Sequence, residues 1–276
     1  MKLLEERVLY RKYQEFFEIA EKKRRWNVFE DIPWELAEKT RPDSTLALCA
    51  ETFCGVESYL PDYVAQGLNV LRDSFGQTWW QINWGYEESK HALALREYLV
   101  QTGQRTKDQM YSFEEDILSR RWVLPFETPR QMVCYGALQE RVTWMIYRKQ
   151  MQAATNVGDE LLTSVYRHIS RDEAAHGSFY LDVVAVCAEE DRAGLVDDLS
   201  LVLSSFTMPA YDLVPDYESR VEVMRSVGID APVFFREVVM PMLRRVGVNR
   251  RELRLSRPKV DRALIPAGEA ALAAMR

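Results

Sequence analysis

Apolar residues recur along most of this chain at intervals of three and four, the period of an α-helix that buries one face. Runs of β-branched residues bounded by regular turn signals are missing, and glycine and proline are sparse, at 12 and 11 in 276 residues. An all-α fold is expected. The helices separate at recognisable punctuation. An N-terminal helix is expected to run to about Arg25, followed by an irregular link from Trp26 to Pro33. Pro42, Asp43 and Ser44 offer an N-terminal proline and capping oxygens for a second helix that reaches about Leu71. A third spans roughly Phe75 to Thr102 and stops at Gly103. After a link containing Pro125, Thr128 and Pro129 open a fourth helix that continues to Asn156, and Gly158 and Asp159 break the chain. A fifth runs to about Glu190, and the remainder, through Met208, Pro209, Ala210 and Pro215, reads as shorter helices packed outside. One domain is expected over residues 1–276, with a core bundle at about 42–190 and peripheral helices at 1–41 and 191–276.

Two of the helices carry polar groups where the core should be. In YEESKHALALREYL, from Tyr86 to Leu99, Glu88 and His91 share a face with the apolar residues. A second Glu-x-x-His, Glu173 and His176 in DEAAH, sits at the matching place in the fifth helix. Residues three apart differ by about 60° in direction and about 4.5 Å in height, so each pair can clamp a metal ion beside its helix. Two lone glutamates stand in otherwise apolar faces of the preceding helices, Glu57 in CGVESYL and Glu140 in GALQERVT. Glu57 precedes Glu88 by 31 residues and Glu140 precedes Glu173 by 33, so in each half the chain climbs, reverses and returns to the same height. One unit therefore occurs twice: a helix with Glu, a turn, and a helix with Glu-x-x-His. This is the ligand pattern of ferritin-like four-helix bundles that hold two iron or manganese ions. Four carboxylates in a core repel one another unless divalent cations cancel their charge. Oxygen-rich ligands suit iron or manganese, and the set leaves positions open for dioxygen.

Composition narrows the setting. With 47% hydrophobic and 28% charged residues, the chain can bury a large core. No apolar run approaches about 18 residues, and the N-terminus is charged throughout, so a soluble, cytoplasmic protein with no transmembrane segment is expected. Cys49, Cys54, Cys134 and Cys187 form no CxxC pair and read as buried thiols, so electrons for any redox step must come from outside. From Arg220 onward 12 Lys and Arg face 6 Asp and Glu, a tail of +6 on a chain whose net charge is −6. That asymmetry admits an acidic partner, a solvated basic tail being the alternative. No nucleic-acid partner is expected.

WGYEESKHA (Trp84 to Ala92), QERVT (Gln139 to Thr143), DEAAH (Asp172 to His176) and MPA (Met208 to Ala210) resemble, in order, blocks of the soluble acyl-[acyl-carrier-protein] desaturases, the plant enzymes and their shorter bacterial relatives. ESYLPDY (Glu57 to Tyr63), with a proline inside the helix, WNVFEDIP and RSVGIDAPVFF (Arg225 to Phe235) extend the likeness over most of the chain. The resemblance implies that Glu57, Glu88, His91, Glu140, Glu173 and His176 ligate two irons, with bridging and terminal roles open and manganese as the alternative ion. It also implies that Thr143 lies beside the dioxygen site, where a hydroxyl can donate a proton; packing onto its own helix is the alternative. Trp26 falls on the family's electron route to the irons, through an aspartate and a histidine. Because ligating imidazoles usually give their second N–H to a carboxylate, Asp172 and Glu87 are expected beside the opposite histidines. His168 is expected to be a surface or structural residue. The implied reaction uses a ferredoxin-type donor and dioxygen to remove two hydrogens from adjacent carbons of a fatty acyl chain on an acyl carrier protein. Lys22, Lys23, Arg24 and Arg25, or the basic tail, would receive the acidic carrier, and a homodimer is implied by the family.

The chain also departs from the family. It is shorter than the plant enzymes, and Gln66 stands on the channel-lining helix where an apolar residue is expected. A polar group there admits a functionalised substrate, a shifted bond position or an outward-facing side chain. Hydroxylation or oxygenation at the same kind of site is the alternative chemistry, and a ferroxidase of the ferritin class is disfavoured by the helices after Glu190. A non-enzymatic helical scaffold would bind no metal and would gain stability from Glu57→Ala or Glu140→Ala. A radical-generating reductase subunit is disfavoured because its usual Asp ligand is missing.

Overall fold

The structure, a computed structural model, describes residues 3–208, 213–228 and 230–256. Pro209 and Ala210 of the MPA block, Ile229 and the distal part of the basic tail lie outside the described residues. Helices α1 (Leu3–Lys23), α2 (Ser44–Ser58), α3 (Leu60–Val70), α4 (Phe75–Gln101), α5 (Lys107–Leu118), α6 (Pro129–Val157), α7 (Glu160–Glu190), α8 (Arg192–Ser205) and α9 (Tyr217–Ser226) follow one another, with a 3₁₀ turn at Trp34–Lys39 and short helical segments between 231 and 255. No strand occurs among the described residues, and the fold class expected from the sequence is the one observed.

The boundaries follow local chemistry. Asp43 accepts from the Thr45 and Leu46 N–H groups, Ser74 from Gln77, Thr128 from Gln131 and Asp159 from Leu162, each supplying an oxygen to amides the helix leaves open. Gly158 ends α6 at φ 80°, a left-handed conformation that favours glycine. The two-residue turn makes α6 and α7 an antiparallel pair. A Cβ on Gly136 would sit 2.7 Å from the Tyr180 ring, so the glycine lets these two helices close. α2 packs along α4, α1 lies against α4 and α7, and contact between α4 and α7 joins the two halves over a contiguous apolar core.

Two elements differ from the sequence expectation. The helix expected from Pro42 to Leu71 is broken at Tyr59. Pro61 has no N–H to offer the Glu57 carbonyl, and its ring crowds that position. The Tyr63 hydroxyl instead bonds the neighbouring Val56 carbonyl at 2.9 Å. The link between Gly103 and Thr128 contains α5, opened by a reciprocal capping box between Thr106 and Gln109. Among the described residues, no helix is long and apolar enough to cross a membrane.

Candidate metal centre

Glu57 lies in the last turn of α2, whereas Glu88, Glu140 and Glu173 sit well inside α4, α6 and α7, with His91 and His176 one turn beyond Glu88 and Glu173. All six are buried; Glu57, at 6%, is the most exposed, and both histidines are at 0%. Two overlapping groups form: Glu57, Glu88, His91 and Glu173; and Glu88, Glu140, Glu173 and His176. In each group the four candidate ligand atoms lie within 4.8 Å of one another. Glu88 and Glu173 belong to both. His176 Nδ1 lies 2.8 Å from Glu88 Oε1 and 3.3 Å from Glu140 Oε2, and His91 Nδ1 lies 3.1 Å from Glu88 Oε2 and 3.4 Å from Glu173 Oε1.

Despite these approaches, Glu88 Oε1, Glu140 Oε2, Glu173 Oε1, His176 Nδ1 and both His91 nitrogens make no hydrogen bond of acceptable geometry. Buried polar atoms are rarely left so. Here they converge from four helices on two adjacent points, and their chemistry, carboxylate oxygen and imidazole nitrogen, fits two hard divalent cations. Electrostatics agree. Burial, reinforced by the Glu88 charge, pushes the Glu57 carboxyl well above the usual carboxylate range, and burial with the Glu173 and Glu88 charges does the same to Glu140. Burial opposes the charge of Glu88 as well, but His91 and His176 outweigh it and hold its carboxyl low. Both imidazoles rise well above their ordinary value, because the carboxylates around them overcome burial.

A second layer contacts five of the six side chains, all but Glu88. The Tyr147 hydroxyl donates to Glu57, Trp84 Nε1 to Glu140 Oε1 at 3.0 Å and Thr143 Oγ1 to Glu173 Oε2 at 2.5 Å. His176 Nε2 lies 2.6 Å from Glu87 Oε2, and His91 Nε2 lies 3.5 Å from Asp172 Oδ2. Glu87 thus bonds the histidine of the opposite half, whereas Asp172 approaches His91 without a hydrogen bond. Trp26 Nε1 donates to Asp172 Oδ2 at 2.7 Å, so Trp26, Asp172 and His91 lie in line. His168 is half-buried and stacks on Trp26 with centroids 4.9 Å apart.

The sequence did not disclose the cations. Arg24, 8% exposed, donates to Asp172 from Nη1 at 2.5 Å and to Glu87 from Nη2 at 2.8 Å, tying the two outer carboxylates together. Arg25 also donates to Glu87, and Lys90 Nζ stands 3.7 Å from Asp172 and 4.8 Å from the Trp26 ring centre. Arg24 and Arg25 are therefore committed to the site, which corrects their assignment to a carrier-docking surface. Trp84 and Tyr147 were detectable only as polar-tipped aromatics one turn before Glu88 and one turn after Thr143. Gln66 is also resolved. Its Nε2 donates to the Trp122 carbonyl at 2.6 Å and its Oε1 accepts from Leu124 N at 2.7 Å, so the amide clamps the backbone of the link before α6.

Comparison with known proteins agrees with this geometry. The sequence profile of the family described as fatty acid desaturase matches residues 23–262. The chain is 29% identical over 208 residues to DesA1 of Mycobacterium tuberculosis, a protein named as an acyl-[acyl-carrier-protein] desaturase, with 71% of this chain and 60% of that protein covered. It is 27% identical over 194 residues to the chloroplastic stearoyl-[acyl-carrier-protein] 9-desaturase 6 of Arabidopsis thaliana, covering 66% of this chain and 49% of the relative. The match thus spans 60% or less of the length of these two curated relatives. The X-ray structure of DesA2 from Mycobacterium tuberculosis, a protein described by homology as an acyl-ACP desaturase, superposes with a TM-score of 0.65 at 20% identity, covering 91% of this chain and 97% of that one. An R2-like ligand-binding oxidase with a reconstituted Mn/Fe cofactor gives 0.59 at 14%, over 88% and 93%. These two likenesses establish the shared fold. With the family profile spanning most of its length, this chain belongs to the fatty acid desaturase family.

Proposed function

We propose that this chain is a dioxygen-dependent desaturase acting on a fatty acyl chain carried by acyl carrier protein. The observation that carries the proposal is the pair of overlapping four-residue groups, buried and with unpaired ligand atoms, in a chain of this family. Glu57 and His91 would hold one metal ion, Glu140 and His176 the other, and Glu88 and Glu173, common to both groups, would bridge them. Iron is the proposed metal and manganese the alternative. Two irons would supply the reductive activation of dioxygen that breaking unactivated C–H bonds requires.

The remaining chemistry belongs to this chain's side chains. The Thr143 hydroxyl, bonded to Glu173, is placed to give a proton into the pocket and recover it through that carboxylate. Trp84 and Tyr147 orient Glu140 and Glu57. Glu87 fixes which nitrogen of the His176 imidazole faces inward, Asp172 lies 3.5 Å from the outer nitrogen of His91, and Arg24 offsets the charge of both carboxylates so that they can stay ionised in a dry interior. Trp26, bonded to Asp172, is the proposed entry point for electrons from a ferredoxin-type donor. The working protein is proposed to be a cytoplasmic, single-domain homodimer.

A single-turnover experiment tests the proposal. Protein loaded with Fe(II) is mixed with reduced ferredoxin, dioxygen and a panel of acyl-carrier-protein thioesters, and the acyl group is read by mass spectrometry. Loss of two hydrogens, abolished in Glu140→Gln, is expected. Gain of one oxygen would establish the hydroxylase of the same fold, and an unchanged acyl group at full iron occupancy would overturn both.

A further inference from the structure

Where α4 and α6 begin and α7 ends, the bundle holds a cavity of about 480 Å³ that neither ligation nor desaturation uses. α1 contributes Leu9 to its wall and α8 contributes Asp198. Gln77 stands 11 residues before Glu88 on α4, and Arg130 stands 10 before Glu140 on α6. At about 1.5 Å per residue, the cavity therefore lies about 15 Å along the helices from the candidate ligands. Its volume is in the range of a small-molecule site.

The polar groups of the wall are unbalanced. Three carboxylates, Asp73, Glu190 and Asp198, accompany one guanidinium, Arg130, so the lining carries a formal charge of −2. That guanidinium is already engaged, by Asp198 at Nε and by Asp191 at Nη1, 2.8 Å away. The Cys187 thiol, pushed up to about 11 by burial, stays neutral. A cation is the complementary ligand. Farther from solvent, Gln77 is 5% exposed, and its Oε1 is buried with no hydrogen-bond partner. A buried acceptor left open costs free energy that a donor would recover. Thr128, also on the wall, has its hydroxyl oxygen committed to Gln131 N. Leu9, Val133 and Val186 supply the apolar wall.

A bare metal ion does not fit here. Among the described residues, the groups whose ligand atoms gather within 4.8 Å are the two of the metal centre, so the carboxylates of this cavity are spread along its wall and do not converge on a point. Spread charge, apolar wall and one inner acceptor match a ligand that is itself extended. Its inner end must be a neutral donor, because burying a second charge beside an amide oxygen costs more than the bond returns.

We propose that this cavity binds a short aliphatic amino alcohol. The ammonium sits at the rim, where Asp73 and Glu190 are exposed, the methylene stem lies on Leu9, Val133 and Val186, and the hydroxyl donates to Gln77 Oε1. The bound molecule ties α4, α6 and α7 together at one end of the bundle and stabilises the fold by mass action. The site lies outside the proposed reaction and does not depend on it.

The test is titration calorimetry on the full-length protein with 4-amino-1-butanol, compared with n-butylamine, 1,4-butanediol and 1,4-diaminobutane, with Tm measured on the same samples. Saturable one-to-one binding of the amino alcohol and a rise in Tm are expected. The amine without a hydroxyl should bind about 10-fold more weakly, and the diol, which lacks the charge, should not bind. Gln77→Leu should reduce the amino alcohol to the affinity of butylamine while raising the Tm of the free protein, because it removes the open acceptor; a glutamine held for packing alone would lose stability instead. If Gln77→Leu fails to fold, Asp73→Asn at the exposed rim decides, and it should weaken amine and amino alcohol alike. No saturable binding at millimolar concentration, binding unchanged in the variants, or tighter binding of the diol or the diamine overturns the inference and leaves the desaturase reading standing.

Discussion

Thr143 shows how a single hydroxyl can be assigned. Its oxygen is 3.1 Å from the Glu140 carbonyl and 3.2 Å from the Gln139 carbonyl, the bonds of a threonine turned back on its own helix, yet it is also 2.5 Å from Glu173 Oε2. It has one hydrogen to give, and the carboxylate is the stronger acceptor. Thr143→Val keeps the shape and removes the donor. Iron uptake should be unchanged while single-turnover desaturation slows by on the order of 10²-fold; an unchanged rate would return Thr143 to a packing role. The protonation of the cluster gives a second prediction. Glu57, Glu140, His91 and His176 all have raised pKa values in the metal-free fold, so each holds its proton to higher pH than it otherwise would. Metal needs those groups deprotonated, so binding must release protons and affinity must rise with pH. Calorimetry in buffers of different ionisation enthalpy should show that release, with binding weakening from about pH 8 to about pH 6. A buffer-independent heat and a flat affinity would contradict it. The six candidate ligands were legible because Glu and His at helical spacing break an apolar pattern. Arg24 was not, because its basic neighbours in KKRRW look like a solvated run until α1 is seen to end against the core.

At the scale of elements, periodicity gave α4, α6 and α7 nearly to their observed ends, since each is long and capped by a residue with one evident role. The broken second helix was harder. Its apolar pattern runs through Pro61, and only the missing proline N–H interrupts the backbone at Tyr59. α5 was hidden in a link because its 12 residues bury little; Met110 and Ile117 are its buried residues, and its clearest signal is the capping box. The Gln66 clamp joins these irregular parts: α3 holds the link through Gln66 at Trp122 and Leu124 and through Asp62 at Trp122 N, 2.9 Å away. Gln66→Leu would strand a backbone N–H and a carbonyl, at about 1–3 kcal/mol for each that water does not reach. The expected result is faster proteolysis between Ser119 and Thr128 with the position of the new double bond unchanged. A shifted double bond would instead place Gln66 in contact with substrate.

Over the whole molecule, charge turns out to be a weaker guide than apolar surface. Several cations of the basic tail have internal partners: Arg220 with Glu51 at 3.0 Å, Arg245 with Asp182 at 3.0 Å and Arg225 with Glu222 at 2.6 Å. The exposed apolar residues are more telling. Phe75, Trp79, Ile82 and Tyr86 recur at intervals of four, three and four along α4, at 51%, 47%, 58% and 58% exposure. Trp79, Ile82 and Tyr86, with Tyr13 and Phe17 of α1, line a groove of about 490 Å³. A 4-3-4 stripe is the seam by which one helix packs on another, and an exposed apolar patch marks an interface. For the proposed homodimer, Ile82→Glu should give a monomer by analytical ultracentrifugation with helicity intact, and dimers that survive it would move the interface elsewhere. The same helix α1 carries a consequence for the metals. The ligand set is built from two copies of one unit, and by itself it would make the two metal positions near equivalents. The link after α1 stands outside the repeat and supplies an indole behind one histidine, the Arg25 guanidinium behind the other and Arg24 to the carboxylates behind both. In the two-metal site proposed above, the position beside His91 would adjoin the Trp26 indole through Asp172, and the position beside His176 would adjoin the Arg25 guanidinium through Glu87, with Arg24 bonded to both carboxylates. For the proposed pair of ions, that segment outside the duplication would make the two positions inequivalent, and two distinct iron environments in Mössbauer spectra of the loaded protein are the expected result.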